Sequence, residues 1–223
     1  MNCLVTAGPA YESLDAARRL TNFSTGRLAT QLACHLRDNG HNVILLRGDS
    51  STCPNAFTGG QCIEFSTASD LGSRLEALAS AQIDAVFHAA AVSDFRFGKI
   101  WSRLPGGELR ELSSGKFSTQ DAPLFAELLP VPKLIGKLRS WFPAAWLAGW
   151  KYEVDGDQAS AVKRACNQIQ ECATDACVVN GPAYGPGFGF QSKGNELLHV
   201  PDATSLFECL EARMARRPIG PSP

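Results

Sequence analysis

The stretch from Ile83 to Phe97 restricts the fold more than any other part of this chain. An apolar run, Ile83 to Phe87, leads through His88 into Ala89, Ala90 and Ala91, then into Ser93, Asp94 and Arg96. The run reads as a buried strand. Alanines carry almost no side chain, so a bulky group could lie flat against the backbone there. The polar residues would then sit just past the carboxyl end of the strand, where ligands bind in an open α/β sheet. The alanines alone fit close helix packing equally well; Asp94 and Arg96 at the strand exit favour a site.

The remaining chain repeats the pattern. Asn2 to Ala7 reads as a strand ending in Gly8-Pro9, the opening of many nucleotide-binding folds, although Gly8 stands alone and no G-x-G-x-x-G follows. Tyr11 to Thr25 is polar and reads as a loop with a turn of helix around Leu14–Leu20. From Ser24 the spacing turns helical, with Leu28, Leu32 and Leu36 on one stripe and Ser24 or Thr25 as the expected cap. The first turn of that helix, with Ser24, Thr25, Gly26 and Arg27, has the donors and partial positive charge of an anion site. An ordinary capped helix with a solvated arginine has the same spelling. Asn22 beside it adds an amide that can both donate and accept.

Further strands are expected at His41–Leu46, Cys62–Phe65, Ile83–Ala90, Ala144–Gly149, Asp175–Val179 and Glu196–Val200. Helices are expected over Asp70–Ala81 with Ser69 as cap, from Pro130 to about Trp141, and over Gln158–Glu171 and Ala203–Arg216. Residues 48–61 and 181–195 read as loops. Residues 96–130 break the alternation, with glycines at 98, 106, 107 and 115 and a weak hairpin signal in Glu108–Leu112 and Leu124–Leu128. A connection this long suits a mobile flap carrying Lys116, or Lys99, over a site, or an idle surface insertion. The expectation is one doubly wound α/β domain over 1–217, with a mostly parallel Rossmann-like sheet, helices on both faces and a flap at about 96–130. The tail 218–223 should be disordered.

Composition narrows the class. With 44% hydrophobic and 19% charged residues the chain can build a core, and a net charge of -1 gives no basic balance for nucleic acid. No apolar stretch reaches the ~18 residues that span a bilayer. Met1 to Thr6 enters a strand directly, with no secretory leader expected. Eight cysteines without a C-x-x-C pair suit a reducing cytoplasm. No cluster suggests a protein-built metal centre.

Eight motifs in order resemble phosphopantothenoylcysteine synthetase (phosphopantothenate–cysteine ligase). Thr6-Ala7-Gly8 with Glu12 and Asp15 is similar to that family's T-A-G-G-T-x-E-x-I-D, and Arg18 to Arg27 to its R-x-I-T-N-x-S-S-G-[KR]. Ala89 to Phe95 resembles A-A-A-V-[AS]-D-[FY], and Gly115-Lys116-Phe117-Ser118 resembles the flap's G-K-I-S. Pro130-Val131-Pro132-Lys133-Leu134-Ile135 is similar to P-T-P-K-I-[IL], Gly149-Trp150-Lys151-Tyr152-Glu153 to G-F-K-x-E, and Val178-Val179-Asn180 to V-[AV]-N. Asn195-Glu196 is similar to the N-E before the last strand.

The resemblance implies a two-step reaction. CTP or ATP, with Mg²⁺, activates the carboxylate of 4'-phosphopantothenate as an acyl-nucleotidyl intermediate, and the amine of L-cysteine then forms the amide. It implies catalytic roles for Asn22 and Lys116, with Lys99 as the alternative flap lysine. It implies substrate-phosphate contacts from Arg18, Ser24, Thr25, Gly26 and Arg27. It implies nucleotide contacts from Gly8, Ala89, Ala90, Ala91, Asp94, Pro132, Lys133, Leu134, Ile135, Trp150, Lys151 and Asn180. A cytoplasmic homodimer is implied, with neither nucleic acid nor membrane as partner. The flavin-containing decarboxylase often fused upstream has no counterpart in these residues, so no flavin is expected. Three departures stand out. Pro9 replaces a glycine, Trp150 replaces a phenylalanine, and Lys163 and Arg164 only partly match the lysines of CTP-using members. Two other readings remain. A short-chain NAD(P)-dependent oxidoreductase would show a Tyr-x-x-x-Lys pair, which none of Tyr11, Tyr152 and Tyr184 begins. A non-catalytic member acting as a regulatory subunit would have no need of Asn22 and Lys116.

Overall fold

The computed structural model describes residues 1–113, 115–118, 123–194 and 196–216. In chain order the elements are β1 (Asn2–Ala7), β2 (Tyr11–Ser13), β3 (Arg19–Thr21), α1 (Arg27–Asp38), β4 (Asn42–Gly48), β5 (Gln61–Phe65), α2 (Ala68–Ala77) and β6 (Ala85–His88). Then come β7 (Phe95–Arg103), β8 (Leu109–Leu112), β9 (Leu124–Pro130), a 3-10 turn over Leu134–Lys137, α3 (Leu138–Trp141) and β10 (Trp146–Tyr152). The chain closes with α4 (Gln158–Cys172), β11 (Ala176–Asn180), β12 (Phe188–Ser192), β13 (Leu198–Val200) and α5 (Ala203–Ala215).

Eight strands form one sheet in the order β13-β12-β11-β10-β6-β1-β4-β5. Every pairing from β11 through to β5 is parallel, and β12 and β13 add antiparallel at one edge. A parallel sheet needs apolar residues on both faces, and the strands supply them by alternation. Cys3, Val5 and Ala7 of β1 pack with Leu32 and Leu36 of α1 and Leu206 and Leu210 of α5. Leu4 turns the other way, onto Leu71 and Leu75 of α2 and Leu138 of α3. Cys177 and Val179 of β11 meet Ala161, Ala165 and Ile169 of α4, while Ala176 and Val178 belong to the α1/α5 side. The doubly wound mixed sheet expected from the sequence is the one observed. Among the described residues no helix is long and apolar enough to cross a membrane.

Several local expectations are corrected. The stretch around Leu14–Leu20 holds no helical turn, because the Asp15 carboxylate takes the N–H groups of Ala17 and Arg18 (2.8 and 2.7 Å) and the chain folds into the β2–β3 hairpin. Helix α1 is capped by Gly26, not by Ser24 or Thr25, and no side chain bonds its first turn in the capping manner. Helix α2 starts two residues early, capped by Thr67, whose hydroxyl accepts from Asp70 N–H at 3.1 Å; Ser69 lies inside it. The segment after Pro130 starts only at Leu134 and is partly 3-10. Strand β12 lies in the stretch read as loop. The expected hairpin of Glu108–Leu112 with Leu124–Leu128 does not form. Both segments pair instead with β7, one on each side, in a three-stranded antiparallel sheet. Residues 217–223, including the tail, and Asn195 lie outside the described residues.

One polar clamp closes the α1/α5 side. Glu211 of α5 accepts from Asn39 at the end of α1 (2.6 Å) and meets the Nε2 atoms of His35 and His41, each at 2.9 Å. Burial raises the Glu211 pKa, but the hydrogen bonds from His41, Asn39 and His35 outweigh it and hold the group below its ordinary value. A carboxylate lowered by folding stabilises the fold above its unfolded pKa of about 4.3, and that contribution is lost as pH falls through the folded value. Glu211→Gln should therefore lower the thermal midpoint at pH 7, with the gap to the parent narrowing below about pH 4. Equal midpoints at pH 7 would show that the clamp contributes nothing.

Candidate functional site

The site is assembled where β1 and β6 run out. Past the sheet, Ala91 N–H donates to the Gly8 carbonyl (2.9 Å) and Ala10 N–H to the Ala91 carbonyl (3.0 Å), so Pro9 and Ala91 form one more parallel bridge. That bridge uses the groups flanking position 9 and none of its own, so a proline without an N–H fits there. Gly8 and Gly26 both have positive φ (80° and 76°) and both abut Ser51 from the loop after β4. A Cβ on Gly8 would lie 1.9 Å from the Ser51 hydroxyl oxygen; on Gly26 it would lie 2.9 Å from that oxygen and 3.2 Å from the Gly8 Cα. These two glycines let the start of α1 come down onto the end of β1.

Two compartments open at this junction. The larger, about 620 Å³, is lined by Asn22, Ser24, Thr25, Gly26 and Arg27 on one side and by Ala89–Ala91 on the other. Gly8, Trp150 and Asn180 complete it. The start of α1 therefore borders a cavity; the Arg27 N–H donates to the Thr25 hydroxyl (3.2 Å), and the Arg27 side chain lies beside it. Asn22 donates one amide hydrogen to the Val92 carbonyl (3.2 Å), which ties its loop to the alanine segment and leaves its oxygen for a ligand. The smaller cleft, about 250 Å³, is lined by His88, Ser93, Asp94, Lys133, Lys151 and Gln168, with Leu134 and Ile135. The two share Ala90, Ala91, Trp150 and Tyr152. The Trp150 indole N–H is buried with no acceptor among the described residues. A groove continuing from the smaller cleft is lined by Lys133, Lys151, Arg164 and Glu171. There Glu153 takes Arg164 at 2.6 Å and Lys151 at 3.6 Å.

The region expected to form a flap is the three-stranded β7–β9 sheet and its connections. Its 115–117 segment is tied to the loop between β2 and β3. Ala16 N–H donates to the Gly115 carbonyl (2.9 Å), Phe117 N–H to Asp15 (3.3 Å) and Arg18 to the Phe117 carbonyl (3.0 Å). The Arg18 guanidinium, 3.0 Å from Asp15 through Nε, holds the Asp15 carboxyl well below the usual carboxylate range. Lys99 is paired with Glu111 of the neighbouring strand at 2.8 Å, which pushes its ammonium pKa up.

The sequence profile of the DNA/pantothenate metabolism flavoprotein C-terminal domain matches residues 1–213. The chain belongs to this family. It is 32% identical over 179 residues to the coenzyme A biosynthesis bifunctional protein CoaBC of Thermococcus kodakarensis, covering 79% of this chain and 40% of that protein. The chain spans less than half the length of the curated relatives it matches. The crystal structure of the DNA/pantothenate metabolism flavoprotein from Streptococcus pneumoniae superposes with a TM-score of 0.82 at 24% identity, covering 96% of this chain and 98% of that one. A mutant Cab2 in complex with phosphopantothenate-cysteine superposes with a TM-score of 0.75 at 18% identity, covering 96% and 86%.

Within this family member, the residues singled out from the sequence divide into three groups. Gly8, Asn22, Ser24–Arg27, Ala89–Ala91, Trp150 and Asn180 meet in the larger cavity. Asp94, Lys133, Leu134, Ile135 and Lys151 meet in the smaller cleft. Arg18, Pro132, Lys116 and Lys99 line neither. Arg18 is committed to Asp15 and Phe117, and Pro132 faces a separate cleft with Arg96 and Trp141. Sequence reasoning passed over His88, Tyr152, Gln168 and Phe23. His88 stood inside the opening stretch as a lone polar residue in an apolar run, a signal that could have been used. Gly26→Ala should cost about 1–2 kcal/mol from the left-handed backbone alone, with the Ser51 contact adding to it. In thermal denaturation, adding Ser51→Gly should recover only the contact part; equal losses with and without Ser51 would refute the wedge.

Proposed function

We propose that the chain is a phosphopantothenate–cysteine ligase of coenzyme A biosynthesis. The observation that carries this reading is the pair of compartments on either side of one alanine wall. One has the anion-binding features of a helix start, and the other combines a carboxylate with two lysines. The 32% identical CoaBC relative and the family match support the reaction class.

The larger cavity takes 4'-phosphopantothenate, its phosphate on Ser24, Thr25, Gly26 and Arg27, where N–H donors and positive charge converge. The smaller cleft takes CTP or ATP, which leaves Gly8, Ala89 and Asn180, expected from the resemblance to contact the nucleotide, on the phosphopantothenate side of the wall. The substrate carboxylate, reaching the shared wall, attacks the α-phosphorus and pyrophosphate leaves, giving the acyl-nucleotidyl anhydride. The amine of L-cysteine then attacks the acyl carbon, loses a proton, and expels the nucleoside monophosphate. Neither step needs a covalent protein nucleophile; both need negative charge stabilised as it develops. Asn22, held by Val92, offers its amide to the reacting oxygens. Lys116 supplies charge from the flap when the 115–117 segment closes over the wall.

Asp94 is exposed in the smaller cleft, and among the described residues no group of three or more His, Cys, Asp or Glu could hold a metal. That donor set suits Mg²⁺ carried in by nucleotide phosphates and met by the one carboxylate, where it would neutralise phosphate charge. A homodimer is part of the reading, supported by exposed Phe95, Leu109, Phe125 and Leu128 on the three-stranded sheet. Sedimentation as a monomer at micromolar concentration would exclude it. The eight free thiols support a cytoplasmic setting, checked by titrating eight per native-source chain.

Pyrophosphate release from phosphopantothenate with CTP or ATP, followed by amide formation once cysteine is added, tests the function; no turnover with either nucleotide sinks it. Asn22→Asp should cut product formation by roughly a hundredfold or more, the scale for one charge-stabilising amide. Lys116→Ala should slow the activation step where Lys99→Ala, which removes only an exposed ion pair, leaves it near the parent rate. The reverse ranking would move the flap role to Lys99.

A further inference from the structure

His88 is the last residue of β6, 6% exposed, and pairs across the sheet with Thr6 on one side and Gly149 on the other. Its Nδ1 lies 3.0 Å from the Thr6 hydroxyl. That hydroxyl already accepts from Ala90 N–H at 3.1 Å. Thr6 is fully buried, and its hydroxyl proton has one acceptor within reach among the described residues, the His88 Nδ1. The chain of donors therefore runs from Ala90 N–H to Thr6 to His88, which makes Nδ1 the acceptor and puts the ring proton on Nε2. Burial keeps the ring neutral, pushing its pKa down to about 4. No hydrogen-bond partner for Nε2 is found among the described residues, and the ring is a wall of the smaller cleft beside Lys133, Lys151 and Gln168.

We propose that His88 contacts the nucleotide: its Nε2–H donates to an oxygen of the nucleotide seated in the smaller cleft, and Thr6 is the positioning residue that fixes that tautomer. The inference rests on the ligase reading for the identity of the ligand. A neutral N–H suits this place. It stabilises a phosphate or carbonyl oxygen without adding a third cation next to exposed Lys133 and part-buried Lys151. Phe87, one residue earlier, turns to the opposite face of the sheet, so this donor belongs to the smaller cleft and not to the larger cavity.

The test combines calorimetry with the histidine spectrum. In the ¹⁵N-histidine-labelled parent, the long-range ¹H–¹⁵N spectrum should show His88 as the neutral Nε2–H form at pH 6–8. Its Nε2 signal should move when CTP or ATP is added and stay put with phosphopantothenate alone. His88→Leu, which keeps bulk and loses the donor, should raise the nucleotide Kd about tenfold, the loss of one hydrogen bond. Its phosphopantothenate Kd should change by less than about twofold. Thr6→Val should give a smaller rise, with the second tautomer appearing in the spectrum. If the parent binds neither nucleotide, the ligase reading falls and this inference with it. If the parent binds and His88→Leu binds equally well, the inference alone falls. An Nδ1–H ring in the parent, or a His88 signal blind to nucleotide, overturns it even if His88→Leu fails to fold.

Discussion

Two backbone hydrogen bonds beyond the end of the sheet, between Gly8, Ala10 and Ala91, hold segments some eighty residues apart in register. Everything at the site leans on that join. It brings the alanine segment against the first loop, and the Asn22–Val92 bond then adds a second tie between the same two regions. The close approach is possible because Gly8 and Gly26 tolerate positive φ and leave room for Ser51. With a side chain at either position the start of α1 would have to back away from β1, and the larger cavity would lose the wall that carries its N–H groups.

The alternation of β6 then sorts the chemistry between the two compartments. Phe87 packs with the α1/α5 side, and Val86 with the α2/α3 side. His88 follows Val86 and lines the smaller cleft; Ala89 follows Phe87 and lines the larger cavity. Ala90 and Ala91, where the strand has ended, line both. A wall made of methyl groups is thin, so two ligands on its two sides can approach each other closely. Larger residues there would separate them by their own thickness. In the proposed reaction the alanines set the distance between reactants, and the polar residues around them set which reactant goes on which side.

Much of this was legible in the sequence, and the misses have physical causes. Buried parallel strands are short, continuous apolar runs, so β1, β4, β6 and β11 announced themselves. The helices with a strong apolar stripe, α1, α4 and α5, did so as well. Caps were misplaced because Ser, Thr and Gly cluster before α1 and Ser and Thr around the start of α2, and only backbone geometry decides which of them starts the helix. The pairing within the flap was misread because strand partners are chosen by non-local contacts. Residues 108–112 and 124–128 look alike in pattern, but both pair with β7, one on each of its two hydrogen-bonding edges, with Ile100–Ser102 bonded on both sides. Strand β12 hid behind Gly187 and Gly189, where His199 and Tyr184 crowd the backbone too closely for a Cβ. At the site, motif order found the cavity residues, but it could not reveal that Arg18 is spent on Asp15 and Phe117, because that bond closes a loop of 99 residues.

That bond also changes how the flap should be understood. Asp15 gathers Arg18, the N–H groups of Ala17 and Arg18, and the N–H of Phe117 around one carboxylate. It sits at the tip of the β2–β3 hairpin, and β3 is followed directly by Asn22. Thr21, the last residue of β3, donates to the Ala10 carbonyl at 2.9 Å, next to the bridge that organises the site. The 115–117 segment and the Asn22 loop are therefore joined through one short, hydrogen-bonded hairpin. A displacement of 115–117 that preserves these bonds must move the hairpin tip; one that spares the hairpin must break the bonds of Phe117 to Asp15 and Arg18 and of Gly115 to Ala16. The 115–117 segment is thus connected through Asp15, Ala16 and Arg18 to the hairpin that leads into Asn22.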